Sequence, residues 1–328
     1  MNTTRRVVWS EAVFFTCAAL IVLSILALFA FLGLTGLSTF QYTSPLDFFF
    51  GTTWNATTHQ FGVIPLLYGS LMTVLIAMLF SAPIAIGSAI FLTEIASDGV
   101  RQPLRVAVDM LAALPSVIFG LIALIVLVPW VRVTFNAPLG KGILPAAIVL
   151  IFMVQPTIIS IASDALHSVP SVQREGSIAL GATRWQTISR VLLPAARSGL
   201  FAALILGIGR AVGETMAVQM VIGNITQQVP QNLVTGATTM PAAIVTQLPE
   251  AALPPHRTAL IMVAFLLLII TFLLILLVHR VGTPQQRAAG RPATAPAATP
   301  TPTLAAEPAP APASLVAPEP APTDGGAG

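Results

Sequence analysis

Two charged residues stand in a stretch of this chain that offers them no water. The run GLFAALILGIGRAVGETMAVQMVIGN, residues 199–224, carries Arg210 and Glu214 among small and aliphatic side chains. An arginine at the centre of a membrane-spanning helix costs about 3 kcal/mol on insertion scales, so it must face protein, water or an opposite charge. Four residues of separation put both charges on one helical face, close enough to pair. Two chemistries fit. The pair neutralises itself and fixes helix packing, or Arg210 offers a planar array of donors to an oxyanion while Glu214 holds its orientation. The residues alone leave both open.

A second constellation lies in the polar stretch from Asp164 to Ser198, flanked closely by strongly apolar runs. Its centre reads REGSIALGATRWQTISRVLLP, from Arg174 to Pro194. Ser168 and Pro170 suit a helix start, Gly181 permits a sharp turn, Thr183 can cap a second helix, and Pro194 limits how far that helix runs. The expected shape is two short helices joined at a bend. Glycine and proline at fixed offsets set it apart from a plain amphipathic helix resting on lipid headgroups.

The elements that must position these residues follow from composition. With 55% hydrophobic and only 8% charged residues and a mean hydropathy of +0.88, the chain is far too apolar for an ordinary soluble domain. A bilayer needs about 20 apolar residues per helix. Six candidate spans meet that need, near residues 12–37, 66–92, 106–131, 143–163, 199–223 and 258–279. The expected fold is therefore all-α and polytopic. Residues 1–11 precede a membrane domain over 12–281, which contains the polar stretch 164–198, and residues 282–328 form a Pro, Ala and Thr tract too poor in apolar side chains to fold.

The net charge of +3 marks orientation rather than nucleic-acid binding. With the N-terminus inside, Arg5, Arg6, Arg101, Arg105, Arg174, Arg184, Arg190, Arg197, Arg280, Arg287 and Arg291 are cytoplasmic, and only Arg132, Lys141 and Arg257 are outside. Both termini and the stretch 164–198 are then expected in the cytoplasm. The first apolar run is longer than a signal-peptide core and lacks a clear cleavage site, so it reads as an uncleaved span. Cys17, the only cysteine, excludes an intrachain disulfide and is expected to be a buried apolar side chain. His59, His167, His256 and His279 have no metal-ligand spacing, and no metal or cofactor is expected.

Glu175, Gly181, Val191, Leu193 and Pro194 fall at the spacings of a pattern found in importer permeases of the ATP-binding-cassette superfamily: Glu-Ala-Ala, three residues, Gly, nine residues, Ile-x-Leu-Pro. Gly176 and Ser177 replace the paired alanines and Val191 the isoleucine, so the spacing is intact while the residues are degenerate. The stretch resembles the cytoplasmic coupling loop of that family, which docks into a cleft of the ATPase subunit. GRAVGETMAVQMVIGN (Gly209 to Asn224) is similar to the corresponding span of phosphate-uptake permeases, and Met-Ala-Val after Gly-Glu-Thr favours the C-type subunit. FGVIPLLYGSLMTVLIAMLFSAPIAIGSAIFLTE (Phe61 to Glu94) and LAALPSVIFGLIAL (Leu111 to Leu124) agree.

The resemblance, which covers roughly residues 60–280, implies a type I importer permease. Its expected partners are a paralogous A-type permease, two copies of a separate ATPase, an extracytoplasmic phosphate-binding protein meeting the outer segments Gln41–Gln60 and Ile225–Pro255, and membrane lipid, with no nucleic acid. Arg210 and Glu214 would lie in the substrate pathway and Glu175, Gly181, Val191, Leu193 and Pro194 in the ATPase contact. The chain has no GxxxxGK[ST] segment to cradle nucleotide phosphates and no clustered catalytic groups, so it is expected to be a transporter subunit and not an enzyme. A permease for molybdate or sulfate is the nearest competitor. A passive anion channel would not need the coupling pattern. Thr73, Ser81, Ser116 and Gln155 could also bond an anion, although membrane Ser and Thr more often bond their own preceding turn.

Overall fold

The computed structural model describes residues 2–289. Met1–Arg287 is one compact unit and Ala288–Gly328 separates as another. Nearly all of the Pro/Ala/Thr tract lies outside the described residues. Its expected start at Gly282 is too early, because the last helix continues to Ala289.

In chain order the elements are α1 (Asn2–Leu37), α2 (Pro45–Phe50), an antiparallel hairpin of β1 (Trp54–Asn55) and β2 (Gln60–Phe61), α3 (Ile64–Ile90), α4 (Asp98–Ala113), α5 (Ser116–Ile122), α6 (Val128–Thr134), α7 (Ile143–His167), α8 (Ser171–Ala179), α9 (Arg184–Thr187), α10 (Leu193–Gly213), α11 (Met216–Ile222), α12 (Met240–Gln247) and α13 (Pro254–Ala289). Among the described residues, six helical runs are long and apolar enough to cross a membrane: Val13–Gln41, Ile64–Ile95, Ser116–Thr134, Ile143–His167, Arg184–Gly213 and Pro254–Leu277. Three of these runs contain a π-helical turn, at Phe91–Ile95, Ala123–Leu127 and Ile188–Leu192.

The core is built around α7, which packs against α3 and α10 through small side chains. Ala77, Ala85, Ala89, Ala146, Ala147, Ala162 and Ala203 are fully buried. Small residues let helix backbones approach where apolar lipid supplies no hydrophobic drive between helices. Gly207 of α10 lies directly on Ile158 and Val154 of α7. A second core joins Phe48, Trp54, Phe61 and Leu66 to Met240 of α12 and Leu260 and Val263 of α13. There Ser70 Oγ accepts the Met240 N–H at 2.8 Å. α1 lies against α13 by edge-to-face rings, Phe29 on Phe265 and on Phe272, and leaves the rest of its apolar surface exposed. Cys17 is exposed on this helix, not buried as expected, because α1 packs by one stripe only.

Two span boundaries differ from the expectation. The third span starts at Ser116, not near residue 106, because Leu114 and Pro115 are extended and end α4. Proline disfavours the helical region for the residue before it, and Leu114 takes the extended alternative. α4 is a separate amphipathic helix with no buried residue. The fifth span runs over Arg184–Gly213 instead of 199–223, and α11 stands apart from it. Pro83 and Pro156 sit inside the continuous helices α3 and α7. Pro194, expected to limit its helix, is instead in the first turn of α10, and the preceding π-turn carries the helix past it. Proline removes one N–H from the ladder and crowds the carbonyl of the preceding turn, and the wider π-turn just before it is where the ladder is already interrupted.

Gly69 of α3 sits against the Thr238 carbonyl, too close for any Cβ. Gly69→Ala should therefore lower stability by about 1–3 kcal/mol through overpacking. The check is thermal unfolding of the detergent-solubilised protein. An unchanged melting temperature would mean that the Thr238 loop is not seated on α3.

Candidate functional site

Arg210 occupies the last turn of α10, and its Nη1 donates to Thr157 Oγ1 of α7 at 2.5 Å. Thr157 lies near the middle of α7, so the guanidinium is level with the middle of that span. The expected pairing with Glu214 does not form. Among the described residues the ion pairs within 4.0 Å are Arg101–Asp98 and Arg174–Glu94. The reason is local: α10 ends at Gly213, and Glu214 is extended at φ −70° and ψ 127°, so the four-residue face rule does not reach it. Glu214 Oε1 instead accepts the Ala217 N–H at the start of α11, at 3.4 Å. Its side chain borders a crevice of about 10 Å³ lined by Ser70, Thr73, Thr239 and apolar neighbours, room for one water at most.

Arg210 is exposed in this chain. Neither Gly209 nor Gly213 beside it has anything within 4 Å of the place a Cβ would take, whereas Gly207 packs on α7. Close packing within the chain thus accounts for one of the three glycines. The other polar span residues lie away from this surface. Thr73 donates to the Gly69 carbonyl at 2.7 Å, its own preceding turn. Ser81 is fully buried in the seam of α3 and α7, where Gln155 Nε2 donates to its carbonyl at 3.5 Å. Ser116 is half-buried in the first turn of α5.

The second constellation has the expected bend. α8 ends as Gly181 takes φ +80°, the left-handed region that only glycine enters without strain, and the Ala182 N–H reaches back to the Ser177 carbonyl. Thr183 caps α9 with a full capping box, its Oγ1 accepting the Gln186 N–H while Gln186 Oε1 accepts the Thr183 N–H. The Ser177 and Thr187 hydroxyls, 3.0 Å apart, join α8 to α9. Glu175 and Pro194 are exposed, and Val191 and Leu193 are half-buried. Large apolar side chains project freely from the same two helices, Leu180 at 91% exposure and Val172 and Trp185 at 75% and 65%. A polar segment that presents tryptophan and leucine this openly has the makings of a docking surface.

One residue ties this segment to the membrane helices. Glu94 lies in the π-turn that ends the second span, with its side chain only 9% exposed, and its Oε1 accepts from Arg174 Nη2 of α8 at 2.6 Å. Its carbonyl accepts from Arg184 Nη2 of α9. Sequence reasoning missed both Glu94 and Thr157. Each left a faint trace: an acid closing an apolar run, and a hydroxyl directly after Pro156.

His256 stacks on Phe61, ring centroids 5.8 Å apart, and shares Gln247 Oε1 with the Trp54 indole N–H. His59 sits in the hairpin turn and His167 Nδ1 bonds the Ser163 carbonyl. Among the described residues no three His, Cys, Asp or Glu gather where a metal could be held.

The family model described as the binding-protein-dependent transport system inner membrane component matches residues 82–283. A probable ABC transporter permease protein, YqgH, of Bacillus subtilis is 40% identical over 268 residues, 80% of this chain and 86% of that protein. The phosphate transport system permease protein PstC of Mesorhizobium japonicum is 36% identical over 299 residues, 83% of this chain and 90% of that one. Among solved structures, a bacterial alginate ABC transporter in complex with an alginate-bound periplasmic protein aligns with a TM-score of 0.60 at 15% identity, covering 86% of this chain and 99% of that chain. The inward-facing MetNI methionine ABC transporter aligns at 0.54 and 22% identity, covering 70% and 96%. At these identities the two structures bear on the fold, which is that of ABC importer permeases.

Two outcomes test whether α8 and α9 form a docking surface for an ATPase subunit. Gly181→Val forces a β-branched residue into a left-handed conformation, at about 1–2 kcal/mol, and should leave membrane insertion intact while weakening assembly with the ATPase; normal copurification and coupled hydrolysis would refute it. Glu94→Arg or Arg174→Glu alone should reduce substrate-stimulated ATP hydrolysis about tenfold, as expected for losing one charge-assisted bond, and the exchanged double variant should recover much of it. Equal activity in both single variants would remove Glu94 from the connection.

Proposed function

The chain belongs to the family of binding-protein-dependent transport system inner membrane components, and on that premise we propose that it is the permease subunit of an ATP-driven importer carrying inorganic phosphate into the cytoplasm. The observation that carries the reading is Arg210. It is an intramembrane guanidinium held by a neutral hydroxyl, with no carboxylate partner among the described residues, on a surface that those residues leave open. A planar donor array in a low-dielectric setting suits a tetrahedral oxyanion. Relatives named PstC support phosphate as that anion.

The mechanism is alternating access. An extracytoplasmic binding protein delivers phosphate to the outer segments Gln41–Gln60 and Ile225–Pro255. The anion crosses between this chain and a paralogous A-type permease, with Arg210 in its path and Glu214 bordering it. A pair of ATPase subunits grips α8 and α9 at Glu175, Gly181, Val191, Leu193 and Pro194, and closure of that pair moves the membrane helices. Hydrolysis occurs on those subunits, and this chain contributes no catalytic group. Both termini are cytoplasmic, and the Pro, Ala and Thr tract that follows α13 is a dispensable tail.

Arg210→Gln should cut uptake at least about tenfold with normal expression, the loss of one charge-assisted contact being worth about 1.5–3 kcal/mol. Exchanging the two residues, Arg210→Glu with Glu214→Arg, moves the guanidinium off α10 and away from Thr157 and should not restore transport. Wild-type uptake in the exchanged variant would sink the direct role of Arg210. Competition by molybdate or sulfate at phosphate-like concentrations would reassign the substrate. Orientation is tested separately: a cysteine introduced at Ser171 should resist an impermeant thiol reagent added outside intact cells, and labelling there would invert the topology.

A further inference from the structure

Two rows of polar side chains face each other across a groove at the end of the bundle that carries α8 and α9. Arg101, Arg105 and Asp109 rise one turn apart along α4, and Ser160, Ser163 and His167 line the last turns of α7, with Leu92, Thr93, Val108 and Ile159 between them. Among the described residues no hydrogen bond or ion pair crosses the groove. Arg101 is committed to the Leu92 and Ala96 carbonyls and to Asp98. Thr93 donates to its own preceding turn, and His167 Nδ1 bonds the Ser163 carbonyl. Arg105 and Asp109 lie within one helical turn yet form no ion pair within 4.0 Å, and neither has another bond among the described residues. The space between the rows is about 40 Å³, roughly three times what a single water needs.

An unpaired cation and an unpaired anion one turn apart, opposite free hydroxyls, describe a receptor for a ligand that carries both charges. We propose that this groove binds the headgroup of a zwitterionic aminophospholipid, phosphatidylethanolamine in chemical class. Arg105 and the Ser160 hydroxyl take the phosphodiester, with His167 Nε2 beside them, and Asp109 takes the ammonium. The two-carbon link between phosphate and ammonium matches the about 5–6 Å between Cβ atoms one turn apart on a helix. The surroundings supply the rest of the lipid's needs. α4 buries none of its residues, and Val100, Leu104, Val106, Met110 and Leu111 are exposed along it, an apolar flank for acyl chains on an amphipathic helix at the membrane surface. The groove also adjoins Glu94 through Thr93, so a bound headgroup sits beside the turn that holds the docking helices. From the functional reading the proposal takes only that this end of the bundle meets the cytoplasmic leaflet.

The test uses the complete transporter, with its second permease and ATPase subunits, reconstituted in nanodiscs of equal phosphatidylethanolamine and phosphatidylglycerol. Lipids retained after transfer to detergent are counted by native mass spectrometry. Wild type should retain phosphatidylethanolamine in preference. Arg105→Gln and Asp109→Asn should each reduce that retention about tenfold, and Asp109→Asn should leave phosphatidylglycerol retention unchanged. Equal phosphatidylethanolamine retention in wild type and Asp109→Asn, an exposed and conservative change, overturns the proposal. So does a preference for phosphatidylglycerol, which would mark a site for phosphate alone. Radiolabelled inorganic phosphate retained by wild type in lipid-depleted detergent, and lost in Arg105→Gln, overturns the lipid as its source. Phosphate uptake by the same wild-type complex is measured in parallel; its absence counts against the importer reading, while the lipid counts still decide this one.

Discussion

A full positive charge cannot rest in the middle of a bilayer without a partner, and the arrangement around Arg210 is this chain's answer to that constraint. The partner is Thr157, on the helix that α10 already grips through Gly207, so the seam that builds the core also aims the guanidinium. A hydroxyl satisfies one N–H and leaves the charge intact. Had Glu214 closed the pair, the guanidinium would have been neutralised and its donors consumed. The helix break after Gly213 turns Glu214 towards α11 and prevents this. Of the two readings that the residues leave open, the ion pair does not form, and the proposed function builds on the other.

The same helix links that charge to the segment of α8 and α9. From Arg184 to Gly213 the chain is one continuous helical run, so α9 and Arg210 lie on a single rod. Its hydrogen-bond pattern changes once, at the π-turn Ile188–Leu192, just before Pro194. Glu94 adds a second connection, from α8 and α9 to the end of the second span, which also closes in a π-turn. Such turns interrupt the regular ladder and are frequent at functional positions. A displacement of α8 and α9 thus has two routes into the bundle, each entering where the helix geometry is irregular.

Much of this was legible in the residues. The number of spans follows from apolar length, and the bend at Gly181 with its Thr183 cap follows from turn and capping chemistry that acts within a few residues. What hydropathy cannot see is a break between two equally apolar pieces. Residues 106–113 and Ser116–Thr134 read as one run because Leu114 and Pro115 differ from their neighbours in backbone angle, not in polarity. Gly213 and Glu214 divide α10 from α11 as well, and there one charge among apolar neighbours does not announce the change of backbone angle. Pairings between distant segments were beyond reach: nothing near Glu94 announces Arg174, 80 residues on, and nothing near Arg210 announces Thr157. The exposure of Cys17 is likewise a matter of which stripe of α1 finds a neighbour, which periodicity alone leaves undetermined.

The exposed surface around Arg210 carries its own implication. An arginine facing lipid at mid-membrane would be unfavourable by about 3 kcal/mol or more, and α10 presents Arg210 on a face where Gly209 and Gly213 meet nothing from this chain. Glycine on a face without neighbours weakens a helix unless something needs to come close. The three observations have one physical resolution: that face is covered by protein or lines water. In the proposed function, a second permease approaching on the glycines encloses the guanidinium between two chains, which would place the anion site at a seam able to open or close as the chains rock. In the proposed importer the charge that is awkward for the isolated chain is what makes two chains and a polar passage the stable arrangement.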